Sequence, residues 1–483
     1  MQNGSSVGAY SGGMFSRLAD TDLAPIHRII RTFSEALSAL RCPATLADIE
    51  HWSVIVDEAM AGRARLFHTH DHVFELTQTP DPIEALAALF HDIVYVQVDQ
   101  GLSSRIAQIV SAYADLEQGT YVLKPLKDDV PAQLTYDLFG VQAGARLTPM
   151  TGLNELLSAL VAARALSAQL PLGPVAQVVT CIEATIPFRG HDAQGRTPFS
   201  TLAERLRQVN TRLSLGLDDK EITAAIHRAV RVCRRDVSGF ADPDSARFLD
   251  NTWKLLPETN PALRAPDVYS IREYRTALQK MEAFLSTLTA DRVFLQYEGE
   301  PSVEDHQKLL EVTARNLEFA GRYLRAKLYP VAILEALAVE TGGDAPLELF
   351  AGGLPKPPLG GGKRLEHYLP PAEDTAQDQD PTLRAVLAFG RASETSFDLR
   401  ASPAAAFLYR RFGEAAVEAG VKQARRFFEG TLSAAEFLRS QPGQATAPIA
   451  RATARLAVTR TQLLENLAAA FESAPSPAGR GTG

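Results

Sequence analysis

Residues 65–73, RLFHTHDHV, and residues 81–95, DPIEALAALFHDIVY, decide how this chain is read. His68, His70 and His72 fall within five residues, and a fourth histidine, His91, is followed directly by Asp92, in a chain that has ten histidines in all. The second stretch opens as a helix. Asp81 offers an N-cap carboxylate, Pro82 sits where its missing N–H costs nothing, and Glu84 lies near the positive helix end. Leu86, Leu89, Phe90, Ile93 and Val94 form a broad apolar face, so this helix should be largely buried. A His-Asp pair interrupting such a stretch is expensive unless the carboxylate is paired or metal-bound. His68 and His72 are four apart, which on a helix puts both on one face. A lone histidine on an apolar helix is most often a satisfied core residue, and HxxxH arises readily by chance. The two features together point to a divalent metal, because imidazole and carboxylate are ligands that borderline divalent ions accept.

Outward from this core, the chain of 483 residues is too long for one compact unit and fits two or three. Apolar residues recur mainly at spacings of three and four, as in Leu153, Leu156, Leu157, Leu160 and Val161, which predicts an all-α protein. Residues 1–20 are rich in Gly and Ser and read as flexible; 21–265 read as the metal-binding helical domain, and 266–345 as a helical extension packed on it. Residues 117–150 read as a short irregular region. The Gly- and Pro-crowded segment 346–382 reads as a linker or long loop, 383–472 as C-terminal helices, and 473–483 as a disordered tail. The Ala- and Leu-rich faces of 383–472 must bury against each other, the metal domain or a second copy of the chain, so a homo-oligomer stays open.

Composition narrows the partners. Lys and Arg total 49 against 57 Asp and Glu, a net charge of −8, which repels phosphate backbones and argues against nucleic-acid binding. No apolar run approaches a membrane span, no secretory signal opens the chain, and three scattered cysteines do not make a disulfide framework, so a cytoplasmic protein is expected. HTHDH lacks one residue of the H-x-H-x-D-H of metallo-β-lactamase-like hydrolases, and GGGKR near Gly362 lacks phosphate-loop spacing.

RLFHTHDHV followed by DPIEALAALFHDIVY resembles the HD-domain superfamily of metal-dependent phosphohydrolases. The match is closest to a small bacterial branch with an R-x-Y-H-[TN]-x-x-H motif and a helix ending in F-H-D-I-V-Y. Arg65, His68, Thr69, His72 and Phe90 through Tyr95 stand at matching positions, over about 30 residues. Phe67 replaces the usual Tyr, and Val96 stands where the branch often has Asp.

The resemblance implies an all-helical domain in which a His, the His-Asp pair and a later Asp hold the metal. His68 corresponds to the first His, and His72 is the branch's extra histidine. Asp236 is the candidate for the later Asp. It follows Ile222, Ile226, Val230 and Cys233 on the buried face of a helix, or else pairs with Arg231, Arg234 or Arg235 at the rim. The expected metal set is therefore His68, His72, His91, Asp92 and Asp236, holding Mn, Mg, Fe or Ni. His72 or Asp71 would orient water or protonate the leaving group. Arg65 and Arg189 are candidate phosphate clamps, with Glu183 beside them in CIEATIPFRGHD. His191, just beyond, would serve a second ion. The activity implied is hydrolysis of a nucleotide or other small phosphoester. The alternatives are an HD-type di-iron oxygenase and a non-catalytic sensing or scaffold protein.

Overall fold

The computed structural model describes residues 23–266, 268–354, 362–371 and 373–473, and among them the chain is all-α apart from one small sheet. No described helix is long and apolar enough to cross a membrane. The chain divides into two compact units: one runs to Val237 and resumes over Phe294–His306, the other holds Ser238–Val293 and the chain from Gln307 onward. Residues 238–265 thus group with the later helices.

The first unit contains α1 (Pro25–Ala39), α2 (Leu46–Met60), α3 (His70–Leu76), α4 (Pro82–Phe90), α5 (Val96–Asp99), α6 (Ser104–Val110), α7 (Val130–Phe139), α8 (Leu153–Leu166), α9 (Leu172–Ala184), α10 (Pro198–Leu213) and α11 (Asp219–Asp236). α9 lies at its centre, packed against α4, α7, α8, α10 and α11. That position explains its composition: Val175, Val178, Val179, Cys181 and Ile182 are all fully buried, so almost no polar face is needed. α4 starts where its sequence predicts, with the Asp81 carboxylate accepting from the Ile83 N–H at 2.9 Å. α11 is tied to α4 through Glu84, a buried carboxylate that accepts from Arg231 Nε at 2.6 Å and Arg235 Nη2 at 2.8 Å.

The region expected to be irregular, 117–150, is more ordered than its turn-rich sequence implies. It carries most of an antiparallel sheet of β1 (Ala114–Glu117), β2 (Thr120–Leu123) and β3 (Arg146–Leu147), together with α7. Gln118 and Gly119 both take left-handed backbone, φ 49° and 80°, which is the two-residue turn that matches strand twist.

The second unit contains α12 (Ser245–Thr259), α13 (Ile271–Thr287), α14 (Ala290–Val293), most of the long α15 (Val303–Glu340), α16 (Leu347–Ala351), α17 (Pro381–Phe389), α18 (Pro403–Phe428), α19 (Ala434–Ser440), α20 (Gly443–Ala454) and α21 (Thr461–Ser473). Its C-terminal helices bury Leu387, Leu408 and Phe437 within the unit and bond to α15, as Tyr329 does to Gln441 at 3.0 Å. Part of the segment expected as a linker is anchored, with Phe350 and Leu365 buried. Its residues 355–361 and 372, the expected flexible residues 1–20 and the tail beyond Ser473 lie outside the described residues.

Candidate metal centre

Three helix ends build the site. His72 sits in the first turn of α3, His91 caps the C-terminus of α4 with Asp92 next to it, and Asp236 is the last residue of α11. One ligand-type atom from each of these four residues lies within 4.8 Å of the others. His72 Nε2 is 3.1 Å from Asp236 Oδ1 and 3.6 Å from Asp92 Oδ2. His91 Nε2 is 2.8 Å from Asp92 Oδ2 and 3.6 Å from Asp236 Oδ1.

The ring orientations are fixed from behind. His91 Nδ1 is 2.8 Å from the Ala88 carbonyl, which can only accept, so Nδ1 carries a proton and in the neutral ring Nε2 keeps its lone pair. Both Nε2 atoms are buried, and neither meets the geometry of a hydrogen bond despite the carboxylates nearby. Two orphaned imidazole nitrogens facing two carboxylates are what a divalent cation would satisfy, so the residues fit such an ion. α4 and α11 also end here, and the C-terminal end of a helix favours positive charge.

Without an ion, protons take its place. Burial works against a charged His72, but the Asp236 and Asp92 carboxylates outweigh it and raise the pKa to about 9. His91 is likewise raised, with burial opposed chiefly by the Asp92 charge. Burial pushes the other way on Asp92 and Asp236, yet the imidazoles hold both below the usual carboxylate range.

The backbone that presents Asp92 is held on several sides. Arg65 forms a fork on Asp99, 2.9 and 2.6 Å, and donates to the Asp92 carbonyl at 2.7 Å. From α8, Ser158 Oγ accepts from Val94 N–H and Asn154 Oδ1 from Val96 N–H, both at 3.1 Å. Between them in sequence stands Glu155, which no sequence signal marked. It is buried, one of its oxygens has no partner, and burial together with the Asp92 and Asp236 charges lifts its pKa to about 8.

The other residues singled out in the sequence fall as follows. His68 precedes α3, whose N-cap is Thr69, so it does not share a helix face with His72; its Nε2 is 3.9 Å from Asp92 Oδ2, and its ring packs on Tyr95. The reason is local: residues 65–69 are non-helical, with bends over 66–69, and the helix that would have aligned the two histidines begins only at His70. Asp71 is exposed and stands outside the group. Arg231 and Arg235 are taken by Glu84, and Arg234 reaches Glu300, not Asp236. Arg189 grips the buried Glu183 at 2.6 and 3.0 Å, with its Nε left unpartnered, and Arg205 reaches the same carboxylate at 3.4 Å. His191 is exposed in the following loop, and among the described residues no second group of His, Cys, Asp or Glu converges. Comparison of the chain with family models, curated proteins and solved structures returned no match.

Proposed function

We propose that the first unit is a divalent-metal-dependent phosphohydrolase of HD type, acting on a nucleotide or other small phosphoester. The observation that supports this reading is the pair of buried imidazole nitrogens that converge on Asp92 and Asp236 without hydrogen-bond geometry. His72, His91, Asp92 and Asp236 would hold the ion, and Mn, Mg, Fe or Ni suits that set. When bound, such an ion supplies Lewis acidity toward a phosphoryl oxygen and toward water.

The chain's own groups do the rest. Arg65 fixes the Asp92 backbone through the carbonyl it binds. Glu155, whose carboxyl burial and the Asp92 and Asp236 charges raise toward the protonated form, is the group we assign to the leaving oxygen. His68 borders Asp92 and is assigned to substrate or water orientation. Arg189, held by Glu183, keeps a buried Nε–H without a partner, which we assign to a phosphoryl oxygen. The di-iron alternative needs further ligands, and His191 lies outside the group.

Purified full-length protein tests this by metal analysis and by phosphate release from nucleoside monophosphates and bis-p-nitrophenyl phosphate, with and without chelator. One divalent ion per chain and chelator-sensitive release, both lost in His91→Ala, support the reading. Two irons per chain with oxygen uptake, or bound metal with no hydrolysis of any of these esters, overturn it.

A further inference from the structure

The second unit contains a cavity of about 110 Å³ with a charged floor that the metal chemistry does not use. Its walls are mainly apolar, among them Leu334, Leu347 and Leu365, and Lys327, Tyr274 and Asp398 line its polar end. Lys327 is buried within α15, where an ammonium is costly unless its charge and its donors are answered. Asp398 Oδ2 takes one N–H at 2.8 Å and Ser402 Oγ a second at 3.2 Å, which leaves the third donor of the ammonium.

The same carboxylate oxygen serves other groups. Trp253 Nε1 donates to it at 2.8 Å, and Arg391, whose side chain is fully buried, approaches it at 3.5 Å. Two buried cations therefore share this one carboxylate.

The tyrosines sharpen the point. Tyr269 and Tyr274 stack with ring centroids 5.7 Å apart. The Tyr269 hydroxyl donates to the Phe397 carbonyl at 2.6 Å, whereas the Tyr274 hydroxyl is buried with no partner. An unpartnered buried hydroxyl costs stability until an acceptor reaches it, and Tyr274 is among the residues that line the cavity. Toward solvent the lining includes Glu348, which is exposed, and Glu366, paired with Arg364 at 2.6 Å. Carboxylates there disfavour a multiply charged anion such as a nucleotide. The volume is somewhat below the ~150 Å³ of an engineered cavity that takes benzene.

We propose that this cavity is a ligand site for a small organic monocarboxylate, whose head group accepts from Lys327 Nζ and the Tyr274 hydroxyl and whose short apolar body lies among the leucines. The site is distinct from the metal group and needs nothing from it.

Titration of the full chain with benzoate and hexanoate tests this, with benzamide as the neutral control. The chain has two tryptophans, so Trp52→Phe leaves Trp253, which touches Asp398, as the sole tryptophan reporter. A saturable change in Trp253 emission with at least one acid, half-complete at roughly 1 mM or below, is expected, with benzamide at least ~10-fold weaker. Tyr274→Phe should weaken acid binding about 10-fold, because it removes one hydrogen bond to a charged group, while leaving the ligand-free melting temperature unchanged or higher. Lys327→Met should abolish binding; if that variant fails to fold, Tyr274→Phe decides alone, since it removes no contact present in the protein. No saturable response to either acid up to roughly 10 mM overturns the proposal, as does benzamide binding as tightly as benzoate or an unchanged affinity in Tyr274→Phe.

Discussion

At Asp92 a single carboxylate oxygen faces the Nε2 atoms of His68, His72 and His91 at 3.9, 3.6 and 2.8 Å, so its charge decides what the site holds. Asp92→Asn keeps the shape and removes that charge. We expect it to weaken divalent-metal binding at least ~100-fold, beyond the 10–100-fold typical of losing an outer partner, while far-UV circular dichroism stays unchanged. Undiminished metal content in both Asp92→Asn and His91→Ala would sink the assignment. Protons compete for the same atoms, which fixes the pH dependence. His72 is raised from 6.5 to about 9 in the ion-free protein, so its stabilising contribution is full below 6.5 and is lost as pH rises through 9. Asp92 and Asp236 are depressed below 3.8, so theirs is present above that value and lost as pH falls through the folded values. The metal-free protein should therefore melt highest between about pH 4 and 6.5. Metal affinity should run the other way and rise from pH 6 to 9, because ligation needs neutral imidazole. A metal affinity that falls over that interval, measured by competition with a chromophoric chelator, would contradict the arrangement.

Among the helices, the hinge of the site is the contact between α4 and α11. Glu84, 1 % exposed, takes Arg231, Arg235 and the Thr79 hydroxyl, and this grip sets where α11 ends and hence where Asp236 stands. Glu84→Gln should cost about 2 kcal/mol in denaturant melts, below the ~3–5 kcal/mol of a fully buried broken pair because both arginines keep some solvent. Metal affinity should drop with it; a variant that is destabilised yet binds metal at full strength would separate the two helices' packing from the ligand set. This scale also shows what the sequence could tell. The start of α4 was legible because Asp81 and Pro82 are local signals, and the pairing of His91 with Asp92 because two polar residues stood in an apolar run. The start of α3 was not, since nothing in RLFHTHDH distinguishes a bent segment over 66–69 from a helix, and so the sequence does not show that His68 and His72 lie on different faces. Glu155 was invisible for a different reason. In LNELLSALV a glutamate reads as an ordinary helix former, and only desolvation by other elements raises its pKa. The hairpin at Gln118-Gly119 was hidden by its brevity, four residues a strand.

For the molecule as a whole, the grouping of residues into two units carries a prediction about truncation. Within the second unit, Lys327 depends on Asp398, Arg322 on Glu414, and the Ala338 carbonyl on Arg460. Ending the chain after residue 345 removes all three partners. We expect the fragment to retain metal, because every member of the metal group precedes Val237, but to bind a hydrophobic dye and lose one of two melting transitions. A fragment that melts with both transitions intact would show that the C-terminal helices contribute nothing to the second unit. The placement of Phe294–His306 in the first unit has one more consequence, and it concerns synthesis. On the ribosome the residues of the metal group have all been synthesised once Asp236 is made, with about half of the 483-residue chain still to come. Glu300, which Arg231 and Arg234 approach at 3.4 Å, arrives some time later. An ion taken up in that interval would pin the end of α11 while its outer arginines still wait for their acid, making the cation a clamp on the nascent chain before it is anything else.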